Sequence, residues 1–63
     1  MMRPMQDPQK RINEILDAAE QLFFEKGYDR TTVKDIAKVM GVAQGTMYYY
    51  FKSKEEVLKG VID

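Results

Sequence analysis

The sequence contains no cysteine and no histidine. Disulfides, thiolate metal sites and the commonest general base are therefore excluded together. A carboxylate-only enzyme would still need a pocket, and a chain of 63 residues has no core large enough to enclose one. No catalytic residue, metal site or cofactor is expected, and the protein is not read as an enzyme. Long apolar runs are also missing: none approaches the ~20 residues of a membrane span. The opening MMRPMQDPQK is too polar for a signal peptide. A cytoplasmic protein of one domain is the expectation.

An excess of either charge sign is absent too, because ten basic residues balance ten acidic ones. The distribution is uneven, however. Residues 1–11 are net +2, residues 12–25 net −4, residues 26–54 net +4 and residues 55–63 net −2. A surface segregated in this way can orient an anionic polymer even though the total cancels.

What is present is helical periodicity with clear punctuation. Residues 1–7 have none and are expected to form a disordered arm, with the folded domain at 8–63. Asp7-Pro8 suits a helix entry. From there Ile12, Ile15, Leu16, Ala19, Leu22 and Phe23 make one apolar stripe, and Gly27 is placed to stop the helix with Tyr28 folding back on Phe23. Residues 28–31 read as a connector. Thr32 and Asp35 then have the spacing of a capping box for a second helix, which buries Val33, Ile36, Ala37 and Met40 and ends at Gly41.

Val42 and Met47 are placed as a hydrophobic staple around an N-cap at Ala43, opening a third helix that turns Met47, Tyr50 and Phe51 inward. Ser53 and Glu56 suit a second capping box, and Val57, Leu58, Val61 and Ile62 continue an apolar stripe. That stripe has no C-cap, which suggests the front part of a longer protein. The fold expected is all-α: a three-helix homeodomain-like helix-turn-helix bundle plus the start of a fourth helix. Two short helices around Gly41 are the unit that sets a recognition helix into the DNA major groove.

The outward positions of the third helix are then Gln44, Gly45, Thr46, Tyr48 and Tyr49. Gln44 can bond adenine N6 and N7 together, and Gly45 lets the backbone approach closely. Thr46 offers a hydroxyl and a methyl, and Tyr49 a ring for sugar or thymine methyl. These four are the expected base contacts. Tyr48 is expected to donate to a phosphate. So are Thr32 and Lys34 at the start of the second helix, and Lys54 at the start of the fourth. Lys10 and Arg11 are further candidates for backbone contact, and Lys38 is assigned to solubility. The alternatives are a helical protein-interaction module using the open stripe of residues 57–62, or a helix-turn-helix of another regulator family.

The pattern resembles the N-terminal DNA-binding domain of the TetR family of bacterial transcriptional regulators. The likeness runs from about Ile12 to Ile62, through AAEQLFFEKGYDRTTVKDIAKVMGV and GTMYYYFKSKEEVL. It rests on Gly27, Thr31-Thr32, Asp35-Ile36-Ala37, Gly41-Val42, Gly45-Thr46, Tyr48, Tyr50-Phe51 and Ser53-Lys54-Glu55. The resemblance implies a repressor that dimerises through a missing C-terminal helical domain, binds a palindromic operator and is released by a small-molecule inducer held in that domain. One departure stands out. The position of Ala43 is often a serine in the family, where it caps the third helix and touches DNA, so the backbone contact carried over to Ala43 lacks its hydroxyl.

Overall fold

A computed structural model describes residues 8–62 of the chain. The arm expected at residues 1–7 lies outside them. The described residues form four helices: α1 (Pro8–Lys26), α2 (Val33–Met40), α3 (Gln44–Tyr50) and α4 (Lys54–Ile62). Helix α1 packs against both α2 and α4, while α3 packs against α2.

The core is assembled from one stripe of each helix. Ile15, Ala19 and Leu22 of α1 meet Val33, Ile36 and Ala37 of α2, Met47 of α3 and Val57 of α4. Ile36, Met47 and Val57 are wholly buried. Leu16, Phe23, Met40, Val42, Tyr50, Phe51 and Val61 pack around this cluster half-buried. Helix α3 thus has a single buried anchor in Met47, backed by two aromatic rings at its C-terminal end.

Two left-handed glycines break the chain where the sequence places the stops, at Gly27 (φ 94°) and Gly41 (φ 75°). At Gly41 the turn is a complete Schellman motif. The Gly41 N–H donates to Lys38 O at 3.2 Å, and the Val42 N–H donates to Ala37 O at 3.0 Å. At the end of α1, Gly27 N–H donates to Phe23 O, and the Tyr28 ring returns to the Phe23 ring edge-on at 5.1 Å.

Three features depart from the sequence reading. Thr31, taken as part of a connector, is fully buried. Its hydroxyl donates to Gly27 O at 2.8 Å and lies 3.3 Å from Leu22 O, tying the α1–α2 turn to the last turn of α1. The apolar stripe of α4 stops at Val61, because Ile62 is 73% exposed. It stands about 140° around the helix from Val57, so the two cannot share a face. The box at Ser53 closes differently as well. The Glu56 N–H donates to Ser53 Oγ as expected, but the Glu56 carboxylate accepts from Lys52 N–H, one residue before the cap.

Candidate nucleic-acid interface

The box at the entrance of α2 forms in full. Asp35 N–H donates to Thr32 Oγ1 at 3.1 Å, and Thr32 N–H donates to Asp35 Oδ2 at 3.0 Å. Lys26, from the last turn of α1, donates to the same Asp35 oxygen at 2.9 Å. This Lys26 hydrogen bond, followed by those from Thr32, holds the Asp35 carboxyl below the usual carboxylate range. The entrance of α2 is thereby fastened to the end of α1, and Thr32 and Lys34 are carried on it facing solvent.

Helix α3 begins without a side-chain cap, as the alanine at position 43 requires. Its entry is set instead by Val42 and Met47, both packed into the core, and by Thr46 N–H donating to Ala43 O at 3.0 Å. With Met47 fully buried, the helix turns Ala43, Gln44, Gly45, Thr46, Tyr48 and Tyr49 outward, and all six are exposed. Tyr49 is 81% exposed and stands edge-on to Tyr50, with ring centroids 5.1 Å apart. A Cβ built at Gly45 would meet no atom within 4 Å beyond its chain neighbours and its own helix backbone. Among the described residues no packing contact requires glycine there, and the missing side chain leaves room for a surface approaching from outside.

The flanking cations take different places. Lys34 and Gln44 line one shallow groove between α2 and α3, together with Ala37, Lys38 and Val42. Lys38, which the sequence assigns to solubility, stands in this groove as well. Its spacing of four from Lys34 puts both on one helix face.

Lys54, half-buried, reaches back across the fold. Its ammonium donates to Tyr28 O at 2.8 Å and lies 4.2 Å from the centre of the Tyr28 ring. Burial, then the charges of Glu55 and Asp29, push the Tyr28 phenol above its ordinary value. At the start of α1, Lys10 is exposed and Arg11 pairs with Glu14 at 3.4 Å.

A small α-helical core that presents one short helix over a glycine turn defines a helix-turn-helix protein. Residues 15–61 match the family model described as bacterial regulatory proteins, tetR family. The chain is 36% identical over 61 residues to the HTH-type transcriptional regulator TtgR of Pseudomonas putida, covering 97% of this chain and 29% of that protein. It is 46% identical over 57 residues to the HTH-type transcriptional repressor KstR2 of Rhodococcus jostii, covering 84% of this chain and 28% of that one. A crystal structure of a TetR/AcrR-family regulator from Thermobifida fusca superposes with a TM-score of 0.82 at 45% identity, covering 84% of this chain and 29% of that one. The chain belongs to the TetR family of bacterial transcriptional regulators, and it spans less than a third of the length of these relatives.

Proposed function

We propose that this chain is the operator-reading part of a transcriptional repressor and that α3 enters the major groove of duplex DNA. One observation carries the reading. The leading face of α3 is exposed while Met47 anchors its back, so the helix is held by the core yet free on the side that base edges would meet. In this reading Gln44, Gly45, Thr46 and Tyr49 meet base edges and thymine methyls, and Tyr48 donates to a phosphate. Thr32 and Lys34 hold the strand on the α2 side. Lys54 serves the flank near α4, where one of its three ammonium protons is already given to Tyr28 O. Lys10, Arg11 and the Ala43 backbone are peripheral.

The two relatives named above carry the words regulator and repressor in their names, which supports the same role for a longer protein built on this chain. A dimer on a palindromic operator, release by a small-molecule inducer and a cytoplasmic location complete the proposal. Among the described residues no helix is long and apolar enough to cross a membrane.

Selection from a random duplex pool tests it. The wild-type chain should enrich a defined sequence. Gln44→Ala should relax one position of that sequence, at a cost of roughly 1–3 kcal/mol in discrimination. A pool that stays random after selection overturns the reading, and unchanged discrimination by Gln44→Ala removes Gln44 as a base reader.

A further inference from the structure

The groove between α2 and α3 is apolar at its base and cationic along one side. Its floor is made by half-buried Val42 with the edge of buried Ala37 beneath it, which the Schellman turn at Gly41 brings into line. Its walls are polar: Lys34 and Lys38 on one side, Gln44 on the other.

The neighbouring cations are already committed, Lys26 to Asp35 and Lys54 to the Tyr28 carbonyl. Among the described residues, Lys34 and Lys38 have no hydrogen-bond or ion-pair partner. They stand at i and i+4 on one face, where like charges repel each other. Lys34 also lies in the first turn of α2, the end of a helix where positive charge is unfavourable. Asp35 in the same first turn and the last-turn position of Lys38 soften the second cost, but among the described residues no carboxylate pairs with either ammonium. An anion shared between the two ammonium groups would offset both.

We propose that this groove seats one deoxyribose-phosphate unit of a duplex strand, with Lys34 and Lys38 bridging the phosphate and the sugar's carbon face resting on Val42. Gln44, on the facing wall, then starts from a strand already held in register. The inference rests on the DNA-binding reading and extends it, because it makes Lys38 a strand contact instead of a solubilising charge. An apolar floor distinguishes the site from one for a free anion, which would be left with no use for it.

Binding of the full chain to a mixed-sequence duplex, followed by fluorescence anisotropy over a salt series, tests it. Lys38→Gln should reduce the slope of log affinity against log salt by about one, so that a step from about 50 to 200 mM salt costs the variant roughly threefold less than wild type. Lys38→Arg should keep the wild-type slope. Lys59→Gln, which removes an exposed lysine from the last turn of α4, should leave the slope unchanged. Thermal unfolding of each variant shows that the fold is retained.

A wild-type slope in Lys38→Gln, with Lys34→Gln still reducing it, overturns the proposed seat and leaves the DNA reading standing. Inorganic phosphate that competes beyond ionic-strength-matched chloride, in wild type but not in Lys38→Gln, identifies a free-anion site and also overturns it. If the wild-type chain shows no salt-dependent duplex binding, the reading beneath falls and takes the seat with it.

Discussion

Gly45 and Thr31 show how differently single residues serve this chain. Gly45 lies in a helix, where glycine is unfavourable, and has open space around it. Gly45→Ala is therefore expected to raise stability by about 0.5–1 kcal/mol, while weakening duplex binding because a methyl now meets the groove. Chemical denaturation and a binding titration on the same sample read the two effects. Equal affinity in both proteins would show that no surface comes close to Gly45. Thr31 is the reverse case, a buried hydroxyl serving only the fold. Thr31→Val keeps its shape but loses the donor to Gly27 O. The expected cost is about 1–2 kcal/mol in urea unfolding, with the folded fraction binding DNA as before. The lower part of the range applies, since Gly27 O also accepts from Arg30 N–H.

At the scale of elements, the entrance of α2 is secured by three side-chain hydrogen bonds, two of which depend on the Asp35 carboxylate staying ionised. Asp35 serves Thr32 N–H and Lys26 with one oxygen, and its folded pKa lies below the ordinary value. A carboxylate depressed on folding adds stability that is complete above its unfolded pKa and is lost as pH falls through the folded one. The unfolding temperature should thus decline below about pH 4, and Asp35→Asn should flatten that decline while lowering the neutral-pH value. Melting curves across an acid pH series measure it, and an equally steep decline in the variant would place the sensitivity elsewhere. Helix α3 is built differently. With no side-chain cap and only seven residues, it cannot stand alone and takes its order from Met47, Val42 and the ring of Tyr50. A helix held from behind keeps its front free for a partner.

For the whole molecule, net charge says little and its arrangement says much. The zero total conceals a basic segment at 26–54 between acidic ones. The structure refines this count, since Lys26 and Lys54 are engaged internally whereas Lys34 and Lys38 face one groove beside α3. The chain is accordingly expected to be retained on heparin at low salt and to elute as salt rises. Passage through the column unretained would favour the alternative of a protein-interaction module, using exposed apolar side chains such as Ile62 and Phe24.

The helices, their stops and the outward face of α3 were determined by the sequence alone, because each depends on local spacing. Apolar residues at i, i+3 and i+4 define a buried stripe, glycine permits the left-handed turn at positions 27 and 41, and the Thr32–Asp35 box closes within four residues. Contacts between residues distant in the chain were decided only by tertiary structure. Lys54 reaching Tyr28, Lys26 joining Asp35 and Lys38 sharing a groove with Gln44 each depend on how α1, α2, α3 and α4 lie against one another. The same holds for Thr31, whose place in a connector gives no sign of the burial that the folded turn imposes on it. Local hydrogen-bond geometry is written in neighbouring residues, whereas the destination of a long flexible cation is set by which surfaces the core brings within its reach.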